Sequence, residues 1–160
     1  MAEEKAPMTP EGHAALQEEL KRLKGTERPK ISAEIGAAAA LGDLKENAEY
    51  HAAREKQGFI EARIRDVEDR LARAEVIDGR LLGTDKVVFG CTVTAIDLET
   101  EEKFNYRIVG EDEADVKQKK ISPKSPIARA LIGKKRKDIV EVQAPRGLRE
   151  LEILDIKFEG

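Results

Sequence analysis

Two carboxylates three positions apart, Asp43 and Glu46, stand in the segment Gly42-Asp43-Leu44-Lys45-Glu46-Asn47-Ala48-Glu49-Tyr50. Two chemistries fit that spacing. One is a capping box, in which Asp43 caps a helix, Glu46 reaches back, and both acids only stabilise the helix start. The other is metal delivery: Mg²⁺ is held by one or two protein carboxylates plus waters and phosphate oxygens, at about 2.0–2.1 Å. Two acids on a turn cannot retain that ion alone, so this reading needs a partner that already holds it. Two-metal sites, with ions about 3.5–4 Å apart, hydrolyse phosphodiesters by activating water and stabilising the leaving oxygen. A nearby acid can also orient or deprotonate the water. Spacing alone favours the cap and does not select the metal reading.

The acids fall between two long charged segments that read as helix, so they sit at the tip of a helical hairpin. Thr9, Pro10 and Glu11 give a start: a hydroxyl cap, Pro at the first helical position, an acid at the positive end of the dipole. Leu16, Leu20 and Leu23 follow at helical spacing, but the next apolar set, Ile31, Ile35 and Ala38, comes one residue late. Gly25 and Pro29 stand at the slip, so a break or kink is expected between Lys24 and Lys30. On the return arm Ile60, Ile64, Val67, Leu71 and Ala74 keep a 4-3-4-3 spacing, with Tyr50 and Ala53 in phase and Gln57 the polar exception. Ala37 to Ala40, Ala48, Ala52 and Ala53 are expected to let the arms approach closely near the tip. From Asn47 to Glu75 the arm spans on the order of 40 Å.

Beyond a linker over residues 76–85 the period changes. Val87–Leu98 with Lys103–Val109, and Asp138–Ala144 with Leu148–Phe158, read as two hairpins. In the last strand the apolar phase shifts between Ile153 and Leu154, which predicts a bulge. Ser125 as cap, Pro126 as first residue and Gly133 as stop define one short helix. The expected fold is α+β: an antiparallel coiled-coil hairpin over 1–78 and a small antiparallel sheet domain with one short helix over 79–160.

Composition narrows the classes. The 160 residues are 38% charged, 4% aromatic and without Trp, which suits a chain that is partly coiled coil. Residues 1–78 carry 13 basic and 17 acidic side chains, residues 79–160 carry 16 and 15, and a net charge of −3 marks no general nucleic-acid binder. Residues 1–10 lack the apolar region of a signal peptide, and no run approaches membrane length. The single cysteine, Cys91, cannot form an internal disulfide, so a cytoplasmic protein is expected; no membrane contact and a monomer are expected as well.

Residues 42–55 resemble the tip signature of the Gre family of bacterial transcription elongation and transcript cleavage factors. The resemblance extends to Phe89–Thr94, Tyr106–Asp115 and Ile121–Lys134, in the family's order. It implies a C-terminal domain similar to FK506-binding proteins (FKBP-like), docked at the rim of the secondary channel of RNA polymerase. It also implies a coiled coil that enters the channel and an acidic tip that helps the polymerase bind a second Mg²⁺. The polymerase then cuts backtracked nascent RNA near its 3′ end. On this resemblance the factor is not an enzyme and has no cofactor of its own, Mg²⁺ being shared with the polymerase. It assigns Asp43 and Glu46 to assisting catalysis and to the metal within the polymerase site. Lys45, Tyr50 and Arg54 are assigned to tip support or nucleic-acid contact, and Ser125 and Pro126 to polymerase binding. Asp112, Glu113, Ala114 and Asp115 match a family loop without individual roles.

One departure is chemical. The family commonly has a basic residue four positions before the tip Asp; here it is Ala39. Losing a phosphate-facing charge should weaken the grip on RNA, so short backtracks are expected to be favoured. For other residues the plain readings lead: His13 and His51 as surface helix histidines, Cys91 as a small core residue. The lysines at 117, 119, 120 and 124, and Lys134, Lys135 and Lys137 around Arg136, read as a solvated face or as a weak contact with polymerase, DNA or RNA. Three other functions compete: a Gre-like inhibitor that plugs the channel, a peptidyl-prolyl isomerase, and a plain coiled-coil adaptor.

Overall fold

The computed structural model describes residues 5–158 and divides the chain into two compact units. One is His13–Arg73; the other joins the segment ending at Gly12 to the chain from Ala74 onward. The expected boundary near residue 78 is therefore displaced. The reason is a short parallel pairing: β1 (Ala6–Met8) lies beside β2 (Ala74–Val76), in register Ala6 to Ala74. The sequence places Ala74 and Glu75 in the coiled coil and Val76 in the linker; the structure pairs all three as a strand.

The helical unit is a hairpin. After α1 (Pro10–Arg22) comes a π-helical turn over Leu23–Glu27, then α2 (Arg28–Ala39) and the return helix α3 (Ala48–Arg73). Arg28 N donates to Leu23 O, five residues back. A π turn inserts one extra residue into the helical ladder, which is why the apolar stripe resumes one position late. Leu23, Ile31, Ala53, Ile60, Ile64 and Val67 are buried in the seam, and Leu16, Leu20, Ile35 and Leu71 pack against them. Of the alanines expected between the arms, Ala38 and Ala53 are buried, whereas Ala37, Ala40, Ala48 and Ala52 are exposed. Polar ties cross the seam: Arg63 grips Glu19 at 2.6 and 2.7 Å, and Arg28 grips Glu61 at 2.8 and 2.9 Å. At about 1.5 Å per residue, the 26 residues of α3 span about 39 Å.

The other unit is built on a five-stranded sheet of order β5-β4-β3-β7-β6, where β3 is Thr92–Asp97, β4 Lys103–Ile108, β5 Lys120–Ile121, β6 Ile139–Ala144 and β7 Gly147–Lys157. It is antiparallel except for β5, which runs parallel to β4. The first strand starts at Thr92 and not at Val87, because the Val87 amide is taken by Lys134 O at 2.8 Å. The expected bulge is present: Thr94 pairs with Asp155 but Ala95 with Ile153, leaving Leu154 unmatched. The short helix α4 (Pro126–Leu131) supplies Ala128 and Leu131 to a core with Val93, Ile108, Leu151 and Ile153. Cys91 is fully buried there, and burial pushes its thiol above the usual range. Among the described residues no helix is long and apolar enough to cross a membrane.

Candidate functional site at the hairpin tip

Between α2 and α3 the chain reverses through Gly42 and Asp43, whose φ angles are 91° and 28°. Positive φ is natural for Gly, and Asp is among the few side chains that tolerate it. A backbone bond from Glu46 N to Asp43 O at 3.2 Å then closes a turn. The helix start is set by a residue that the acid-centred reading passed over. Asn47 Oδ1 accepts from Tyr50 N at 3.0 Å, while its Nδ2 donates to Ala38 O at 2.6 Å and to Gly42 O at 3.3 Å. One side chain thus caps α3 and ties it to the end of α2. Asn at the position before a helix is a strong start signal, and that signal was available in the sequence.

The capping box built from Asp43 and Glu46 is therefore not formed. Both residues are exposed. Among the described residues, neither carboxylate has a hydrogen bond or an ion pair. A carboxylate without such a partner keeps its lone pairs for another molecule.

The remaining tip residues divide by role. His51 is a surface helix histidine as expected, and its Nε2 donates to Lys45 O at 3.0 Å, so it also braces the turn. The half-buried Tyr50 meets the His51 ring edge-on, with centroids 5.6 Å apart. Lys45 and Arg54 are exposed. Below the tip the small side chains leave an open groove of about 580 Å³ lined by Ala37, Ala38, Leu41, Ala52 and Ala53, with Glu34, Glu49 and Lys56.

Ser125 and Pro126 belong to the other compact unit. Ser125 Oγ donates to Ser122 O at 2.8 Å and accepts from Ala128 N at 3.3 Å, so it caps α4 as its sequence suggests. Pro126 is exposed at the first position of that helix. The run Lys134–Lys137 also separates. Arg136 reaches Asp155 Oδ1 at 3.2 Å, Thr84 O at 2.9 Å and Ile156 O at 2.6 Å, which makes it a staple, while Lys134, Lys135 and Lys137 are exposed.

The donor set at the tip fits Mg²⁺ in kind: two carboxylate groups with hard oxygen donors, exposed and without a partner among the described residues. It falls short in number, and among the described residues no group of three or more His, Cys, Asp or Glu could hold a metal ion. The tip can supply ligands to an ion held elsewhere.

The chain matches two family profiles: "Transcription elongation factor, N-terminal" over residues 6–76, and "Transcription elongation factor, GreA/GreB, C-term" over 82–158. It is 61% identical to transcription elongation factor GreA of Hyphomonas neptunium, covering 98% of this chain and 99% of that one. It is 57% identical to the factor of the same name from a Psychrobacter species, over 96% and 98% of the two chains. Among solved structures it is similar to GreA factor homolog 1 (Gfh1) of Thermus thermophilus, at 26% identity, 98% and 99% coverage and a TM-score of 0.44.

Proposed function

Because the chain belongs to the GreA/GreB family of transcription elongation factors and is of the GreA type, we propose that it rescues stalled RNA polymerase by stimulating cleavage of the backtracked transcript. It works in the cytosol, with its hairpin inside the secondary channel of the polymerase and Ser125 and Pro126 at the channel rim. It is not itself a nuclease.

The observation that carries this reading is the freedom of Asp43 and Glu46 at the end of a braced turn. Asn47 does the capping and His51 holds the turn, so neither carboxylate carries a bond that builds it. In the channel the two carboxylates become ligands to a Mg²⁺ that the polymerase already holds in part. Bound there, the ion supplies water activation and charge stabilisation at the leaving 3′ oxygen. Either acid can also accept a proton from the attacking water or orient it. The preset backbone matters because ligands already fixed in place lose little entropy on binding. Lys45 and Arg54 meet RNA phosphates in the channel, a role their exposure supports, and Tyr50 supports the turn.

The absence of a basic side chain at Ala39 limits the length of RNA that is gripped, and the factor works best on short backtracks. The test is direct. Elongation complexes walked to a defined position and allowed to backtrack are incubated with Mg²⁺, with and without the factor. Release of a short 3′ fragment that requires both polymerase and factor supports the reading, and release by the factor from free RNA contradicts it.

A further inference from the structure

The loop from Gly110 to Asp115 has no share in the tip chemistry, yet one of its residues is held unusually well. Glu113 ends a short turn over Glu111–Glu113, and its carboxylate accepts from Gly110 N at 2.9 Å, from Thr9 N at 3.0 Å and from the Thr9 hydroxyl. The Thr9 hydroxyl in turn accepts from Gly12 N at 3.0 Å, the bond that caps α1. Glu113 therefore holds the capping residue of the first helix from 104 positions away.

The surroundings leave no slack. Met8 and Thr9 are each 1% exposed. A Cβ added to Gly12 would lie 2.0 Å from Glu113 Oε1, and one added to Gly110 would lie 2.3 Å from Pro7 O. Hydrogen bonds to an ionised acceptor are roughly twice as strong as neutral ones, and a negative charge is favoured at a helix N-terminus. The helix so anchored is α1, Pro10–Arg22, the start of the first arm of the hairpin.

We infer that Glu113 is a positioning residue: by clamping Thr9 it fixes where the first arm begins, and so sets how efficiently the tip acids act once the factor is docked. This rests on the cleavage reading proposed above. A loosened clamp leaves polymerase binding intact, because it touches none of the docking or tip residues, and lowers the rate at saturation.

The test uses the full chain and four variants: Glu113→Gln, Thr9→Val, Thr9→Ser and Asp43→Asn. Without polymerase, hydrogen exchange at the Gly12 amide is expected to quicken about tenfold in Glu113→Gln and Thr9→Val, from loss of a charge-assisted bond. It is expected to stay unchanged in Thr9→Ser and Asp43→Asn. With polymerase, the first two variants are expected to lower the saturating cleavage rate about tenfold, with a half-saturating concentration within about twofold of wild type. Thr9→Ser is expected to behave as wild type. Faster exchange with an unchanged saturating rate overturns the inference, and so does unchanged exchange in Glu113→Gln. Should Glu113→Gln not fold, Glu113→Asp carries the same measurements with the same outcomes. A wild-type factor that stimulates no cleavage overturns the tip reading first and this one with it.

Discussion

Asn47 accepts the Tyr50 amide at 3.0 Å, and with that bond it takes over the start of α3. The same side chain donates to Ala38 O at 2.6 Å, so the two arms are joined at the tip by one residue. The consequence reaches Asp43 and Glu46, which are left exposed and without a partner among the described residues. The side chain that builds the tip and the two free carboxylates are therefore different residues, and they can be perturbed separately.

Replacing the cap should loosen the tip without removing its charge. Asn47→Ala is expected to destabilise the hairpin by about 1 kcal/mol. Asn47→Asp, which keeps the accepting oxygen but loses the donors to Ala38 and Gly42, should fall between it and wild type. Thermal unfolding followed by helical circular dichroism measures both, and an Asn47→Ala variant as stable as wild type would contradict the assignment.

The hairpin should weaken in acid. The hydrogen bond from Arg63 is the main reason that the Glu19 carboxyl sits below its ordinary value of 4.5, and Arg28 does the same for Glu61. A carboxyl whose folded pKa is depressed stabilises the fold fully above its unfolded value, and the contribution is lost as pH falls through the folded one. Unfolding midpoints should therefore hold steady at neutral pH and decline from about pH 4.5 downward. Glu19→Gln should make that decline shallower; an identical slope would mean that the pair does not contribute.

Arg136 and Lys135 are neighbours in sequence with different duties. Arg136→Lys keeps the charge but cannot fork to Asp155, Thr84 and Ile156. It is expected to cost the globular unit about 1 kcal/mol or more. Lys135→Gln should stay within about 0.5 kcal/mol of wild type. Denaturant titration of both variants decides, and equal effects would reject the staple.

Ala39 closes α2 just before the turn and is half-buried. Ala39→Arg should restore a phosphate-facing charge and raise cleavage on long 3′ extensions more than on short ones. The effect should shrink as salt rises, since the contact is electrostatic. Cleavage rates over a ladder of extension lengths test this, and a uniform change at all lengths would contradict it.

What could be read from the residues alone was whatever repeats or caps locally. The stripe Ile60, Ile64, Val67 and Leu71 announces the return arm, and Thr9-Pro10 and Ser125-Pro126 announce two helix starts. Gly25 and Pro29 locate the irregular turn, though not its π-helical form. Hidden from the sequence were contacts with no local period. A three-residue strand at Ala6–Met8 finds its partner only at Ala74–Val76. Nothing near Glu113 in sequence announces Thr9. At the tip the error was one of emphasis: Asn47 carries an ordinary capping signal, but the acids beside it fit a capping box as well, and only the folded turn chooses between them.

The central claim is that Asp43 and Glu46 serve the polymerase and not the fold. The measurement is the cleavage rate of a backtracked elongation complex with Asp43→Asn/Glu46→Gln, read beside the unfolding midpoint of the same protein. The account predicts a midpoint shifted by no more than about 0.5 kcal/mol, retained polymerase binding and loss of stimulated cleavage. Full cleavage by that doubly neutralised factor would contradict it.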